Sequence, residues 1–196
     1  MTFNLRLFKV DLYLLYSRID EFLFHWNLGL YLLECKKSGV TAIPALGYQM
    51  ISDYFPDSED QLVDLITGGT PWSNMNKLNV FSPDHLEATN YNYGRHLANP
   101  TGHVIYPKED TVLNLHYKYL SFERVFIRHQ ALHHKLGARD KSEGFGHRYS
   151  FSREKLMDDW HAFAAAAIDD VRVLSLGERK QHHPVASLWW HGTSGD

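Results

Sequence analysis

One cysteine, Cys35, stands in 196 residues. No internal disulfide can form, and such a chain suits a reducing compartment. Cys35 falls in a helical pattern and reads as a small core residue. Nowhere does the chain run for about 18 residues without a charge, the length a membrane-spanning helix needs. Arg6, Lys9 and Asp11 interrupt the apolar N-terminus, which also lacks a signal peptide's clean apolar centre and small-residue cleavage site. We therefore expect a cytoplasmic protein. Excess charge is scarce too: the net value of -3 argues against nucleic acid or an anionic membrane surface as the main partner. The glycine patterns that cradle phosphates, G-x-G-x-x-G and the P-loop, are missing, as is the G-x-S-x-G nucleophile elbow.

What is present is ordinary in bulk: 44% hydrophobic and 22% charged residues, enough chain for one domain with a sizeable core. Histidine is the outlier, with 13 copies. The pairs 133/134 and 182/183 do not match zinc spacing, whereas His129 and His133 lie one helical turn apart and form either a metal pair or a wet helix face.

The patterning predicts an α/β domain: a mixed sheet with flanking helices, then two C-terminal helices. Strands are expected over 7–16, 40–51, 77–81, 103–107 and 111–120. Pro44 places the second of them at an edge or a bulge. Helices are expected over 27–38, 57–69, 82–88, 121–137 and 152–168. The 121–137 helix should turn Phe122, Val125, Phe126 and Leu132 to the sheet and leave Arg124, Arg128 and Lys135 wet. Residues 1–172 read as a single domain. Residues 173–196 lose periodicity and read as a weakly ordered tail.

Seven segments carry the chemistry, in order: "IDEFLFH" (19–25), "GYQMISDYFP" (47–56), "PWSNMNKLNVFSPD" (71–84), "GRH" (94–96), "PTG" (100–102), "LHYKYLSFERVFIRH" (115–129) and "RDKSEGFGHRYS" (139–150). As a set they resemble bacterial glycosyltransferases of the family 2 type, in the branch with an Asp-x-Asp-Glu-Phe strand end and a later Leu-His-Tyr-Lys-Tyr strand. The resemblance implies a partial GT-A-like fold. It also implies transfer of a sugar from a nucleotide-sugar donor to a carbohydrate or lipid-linked acceptor. A divalent cation, Mn²⁺ or Mg²⁺, commonly neutralises the leaving diphosphate in such chemistry.

On this resemblance Asp20 is the metal-side acid and His116 the later metal-ligating histidine. Lys77 and His96 match basic positions of the acceptor half, and Trp72 is a candidate sugar-stacking ring. Asp53 is a candidate base at a strand end; Glu123 is a weaker one. Unless the chain turns there, strand alternation points Glu21 away from Asp20, toward a supporting or bracing role on Lys77 or Arg95. Each residue also has a plainer reading: an ion-paired acid for Asp20, a core imidazole for His116, a surface charge for Lys77, a loop histidine for His96, a core ring for Trp72.

Arg18 occupies the position of the family's first Asp; it weakens a metal site but can contact phosphate itself. Only 19 residues precede Asp20, fewer than one βαβ unit of about 30. The expectation is a chain without the donor-binding half, with a sheet edge open to self-association. The rival reading is a non-catalytic carbohydrate-binding or interaction remnant; a His/Asp metal hydrolase is a third. Under the leading reading, purified 1–196 with Mn²⁺ and a panel of nucleotide sugars should turn over more slowly than about 1 per second, an ordinary enzyme rate. Arg18→Asp should restore little. A faster rate in a transfer or donor-hydrolysis assay overturns the expected loss of the donor half.

Overall fold

The computed structural model describes residues 8–10, 13–144 and 146–191. Its centre is a mixed sheet. β1 (Phe8–Val10) and β2 (Tyr13–Leu15) form an antiparallel pair. β3 (Glu21–Phe24) follows, and then α1 (Leu28–Lys37), capped by the Asn27 side chain. β4 (Ala42–Ser52) is long and buried. A single helical turn, α2 (Leu62–Leu65), and β5 (Gly69–Pro71) lead to β6 (Lys77–Phe81). β7 (Leu86–Ala88) and β8 (Thr101–Gly102) make a separate small pair. β9 (Leu113–Leu120) completes the sheet. The helices α3 (Phe122–Lys135), α4 (Ala138–Ser142), α5 (Arg153–Ala165) and α6 (Leu176–His182) follow. The sheet order is β1-β2-β6-β4-β9-β3, with β5 added against β4. Among the described residues only β4 and β9 run parallel.

Several expectations hold with shifted boundaries. Pro44, which has no N–H to give a ladder, sits at a bulge between Ile43 and Pro44 in a central strand. In α3, Val125 is buried, Phe122, Phe126 and Leu132 are half-buried, and Arg124, Arg128 and Lys135 are exposed, as the spacing predicted. α5 buries Leu156 and Trp160, and Trp160 stacks on Tyr119 at 5.6 Å.

Others are corrected. The helix expected over 82–88 is one turn and then β7. Ser82 Oγ bonds His85 Nδ1 at 2.8 Å, and so short a segment cannot meet the cost of helix nucleation. The helix expected over 57–69 shrinks to 62–65, because Ser58 and Asp60 bond each other and Ile66 turns extended toward β5. Residues 103–107 form no regular strand; Thr41 ties them down by accepting from Ile105 N and donating to His103 O. Part of the 7–16 strand and residues 192–196 lie outside the described residues.

The largest correction concerns 173–191. A reciprocal Ser175–Glu178 capping box starts α6, and Arg179, His183, Leu188 and Trp190 are buried. Leu188 and Trp190 join Leu46, Tyr48, Met50, Leu113 and Leu115 in the main core cluster. Trp190 Nε1 also donates to Asp110 Oδ1 at 2.9 Å.

Register then sorts the sheet into two faces. Gly47 pairs with Asn114, Gln49 with His116, and His116 with Glu21, while Lys77 pairs with Ala45. With a period of two, Lys77, Gly47, Gln49, Asn114, His116 and Glu21 share one face. The intervening Leu46, Tyr48, Leu113 and Leu115 line the other.

Trp190 is 2% exposed. Trp190→Ala should therefore lower unfolding free energy by about 3–5 kcal/mol in urea titrations. A loss under about 1 kcal/mol, typical of a surface site, would return 173–191 to the status of a loose tail.

Candidate functional site

The polar face is organised by a close backbone approach. A Cβ on Gly47 would meet the Met75 backbone carbon at 2.4 Å, so only glycine lets residues 72–76 lie against β4. Trp72 N donates to Gly47 O at 2.8 Å, Gly47 N to Asn76 Oδ1 at 2.7 Å, and Asn114 Nδ2 to Met75 O at 3.0 Å. These bonds bring Trp72 beside His116, with ring centroids 5.6 Å apart.

Asp20 and Glu21 take different partners but do not divide between faces as strict alternation would require: Asp20 lies in a turn rather than in β3, and its carboxylate reaches the His116 face. Glu21 faces inward: its Oε1 accepts from Lys77 Nζ at 2.7 Å, and both side chains are fully buried. Arg95 Nη2 lies 3.5 Å from Glu21 Oε2, and its guanidinium covers the Tyr16 ring at 3.6 Å. Arg95 holds a left-handed φ of 59°, unusual for a non-glycine residue, at the point where it reaches this pair. Burial pulls the Lys77 ammonium below its usual range, and Glu21 opposes that pull.

Asp20 sits in the turn before β3. Its Oδ2 is 3.9 Å from His116 Nε2 and 3.2 Å from Arg128 Nη2. Burial pushes the Asp20 carboxyl up, but neighbouring positive charge, Arg128 and Lys118, outweighs that and holds it low. Burial also keeps the His116 imidazole neutral, well below its ordinary value. The tautomer follows from the bonds. Gln49 Nε2 donates to the carbonyls of Met50 and His116, which leaves Gln49 Oε1 to accept from His116 Nδ1 at 2.7 Å. The proton is therefore on Nδ1, and the Nε2 lone pair faces Asp20.

Two lone-pair donors facing each other across 3.9 Å fit a divalent cation. Among the described residues, no group of three or more His, Cys, Asp or Glu side chains is placed to hold a metal ion. Asp20 and His116 would thus hold one as a pair, leaving the other positions to water or phosphate oxygens.

The surroundings are cationic. Lys118 is pushed down to about 8 by burial and Arg128, and its ammonium sits 4.6 Å from the Tyr149 ring centre. Arg148 pairs with Asp159 at 3.2 Å and lies 5.2 Å from the Trp72 ring centre. Arg18 is exposed, and its charge acts on Lys77, Arg95, His96 and Lys118. Among the described residues, Lys77, Arg95, Lys118, Arg128 and Arg148 gather around Asp20, Glu21 and Asp159.

Of the residues singled out from sequence, Asp20, His116, Arg18, Lys77, His96 and Trp72 gather here, whereas Glu123 is exposed on α3 and paired with Arg153 at 2.9 Å. Lys77 is sealed against Glu21 and braces the site; it cannot reach a ligand. His96 is half-buried. Its Nδ1 donates to the Asn74 carbonyl, which orients the ring, and burial keeps it neutral. Trp72 is half-buried and packs on Phe163 as well as His116. Asp53 stands apart, exposed just beyond β4. It is four residues past Gln49, roughly 13 Å along an extended chain.

Sequence reading missed Lys118, Arg128, Arg148 and Gln49. Lys118 was within reach, two residues from His116 on the same strand. Gln49, a lone amide in an apolar strand, was a signal as well. Arg128 and Arg148 arrive by tertiary packing of α3 and the 146–150 turn. Compared with protein-family models, curated proteins and solved structures, the chain matches none of them. The site therefore defines a class by its chemistry alone: a mixed α/β protein with an acid–imidazole pair inside a ring of cations.

Buried imidazoles set the acid response. His129 is pushed down to about 3 and His183 to about 4, both chiefly by burial. Both stay neutral in the fold but take up protons near pH 6.5 when unfolded. Stability is complete above that value and falls below it, by about 1.4 kcal/mol per pH unit for each group. His116 acts in the same direction. Urea titrations should show a loss of about 5–6 kcal/mol between pH 7 and pH 5, reduced by roughly a third in His129→Leu. Equal stability at the two pH values would show that these rings are not buried neutral.

Proposed function

We propose that the protein is a glycosyltransferase-like protein of the family 2 type, acting on a nucleotide-sugar donor and a carbohydrate or lipid-linked acceptor. The observation that carries this reading is the Asp20–His116 pair set among Lys118, Arg128, Arg148 and Arg18. A diphosphate needs that combination of fixed cations and a cation-binding pair. A bound Mn²⁺ or Mg²⁺ would supply charge neutralisation of the leaving diphosphate.

The chain's own residues have distinct parts. Arg128 and Lys118 hold Asp20 ionised. Gln49 fixes the tautomer that turns the Nε2 lone pair of His116 outward. Arg148, anchored by Asp159, presents positive charge beside Trp72. Trp72 walls the sugar side and excludes water. The Glu21–Lys77 pair sits behind and fixes the entry of β3.

A second reading has its own observation. Asp53 lies outside the cluster, and Asp20 and Glu21 are both engaged by cations. A site without a free carboxylate base fits a non-catalytic module that holds a phosphorylated sugar.

Calorimetry separates the readings. Nucleotide sugar should bind the whole chain with Mn²⁺ and bind at least about tenfold more weakly without it or in Asp20→Asn, the loss of one charged contact. Binding without turnover favours the module. Affinity indifferent to both Mn²⁺ and Asp20→Asn overturns the glycosyltransferase reading.

A further inference from the structure

A cavity of about 170 Å³ lies on the apolar side of the sheet, away from His116. Leu46 of β4 forms its floor, α6 and residues 185–191 cover it, and the 108–110 loop closes one side. Its volume resembles that of cavities able to hold a molecule of about six heavy atoms.

Two lining side chains are buried without complete partners. Arg179 is 8% exposed. Its Nη1 donates to Thr111 O at 2.9 Å and its Nη2 to Arg172 O at 3.2 Å, while Nε–H has no partner. Those carbonyls fix the guanidinium but do not neutralise it. Among the described residues no carboxylate lies within ion-pairing distance of it, and burial pulls its proton affinity down. His183, 2% exposed, has an unpartnered Nε2. A buried arginine without a counter-ion is costly and rare.

Lys108 and Lys180 complete the cationic lining. Of the acids in the same wall, Asp110 is already occupied, accepting from Trp190 Nε1 at 2.9 Å and His191 Nε2 at 2.8 Å. Glu109 also lines the cavity, on its exposed rim next to Lys108. We infer that this cavity is a second binding site, taking a small oxyanion, a carboxylate or a phosphate, as the counter-ion of Arg179. The inference is independent of the reading of the Asp20 site.

The test is calorimetric titration of the whole chain with inorganic phosphate and, separately, acetate. Lys108→Gln combined with Lys180→Gln changes two exposed side chains and leaves the core intact. It should weaken binding at least about tenfold. Arg128→Gln, on the other face, should leave it within about twofold. Tighter phosphate than acetate assigns the site to phosphate, and the reverse assigns it to carboxylates. No binding of either anion at tens of millimolar overturns the proposal. So does a loss that follows Arg128→Gln and spares the double variant, since the anion would then sit among the cations on the His116 face.

Discussion

The contact between Glu21 and Lys77 fixes everything else on the polar face. Both side chains are fully out of water at 2.7 Å. Dehydrating two ions is expensive, and their attraction offsets that only when the geometry is tight. Removal of either partner would strand the other charge at a cost of about 3–5 kcal/mol. The pair joins edge strand β3 to interior strand β6, passing over β9 and β4. Arg95 adds a second cation from a separate loop. Residues from three distant stretches are thereby held at one spot, and Asp20 is placed by being next in line.

Adjacent carboxylates consequently have opposite tasks. Glu21 spends its charge inside the fold. Asp20, one residue earlier and still in the turn, keeps its charge at the mouth of the site. Fixed cations hold it ionised, and a neutral imidazole faces it. Burial keeps that imidazole from taking a proton, and Gln49 decides which nitrogen presents its lone pair. The chemistry thus rests on desolvation as much as on Coulomb attraction.

Much of this was legible in residue order because strand periodicity is rigid. The bracing role of Glu21 on Lys77 or Arg95 was legible, but the turn that brings Asp20 onto the same face as Glu21 was not. The 3.6-residue period gives the buried face of α3. Pro44 announces a bulge. Legibility stopped where contacts depend on packing between distant segments. Arg128 and Arg148 carry no local mark of their destination. The 173–191 stretch lacks periodicity because its residues are buried one at a time, through Arg179, Leu188 and Trp190, against elements more than 60 residues earlier. Short acidic or proline-led segments at 57–60 and 82–85 look like helix starts, yet their side chains bond locally instead. The charge pattern of the site was likewise invisible in the net value of -3, which averages a cationic cluster with acidic surface.

The parallel pairing of β4 with β9 sets the order of events in folding. Gln49 and His116 are 67 residues apart in the chain, and Glu21 and Lys77 are 56 apart. Such distant partners meet slowly, because the entropy of closing the loop is lost before any contact compensates it. Until β9 docks, β4 lacks its parallel neighbour and β3 lacks its only one, and Glu21, Lys77 and His116 remain hydrated. The chain must pass through forms with bare strand edges, the species most open to association with other copies. The residues that give the protein its chemistry are therefore among the last to be enclosed, and conditions that crowd nascent chains would deplete the site before they depleted the helices.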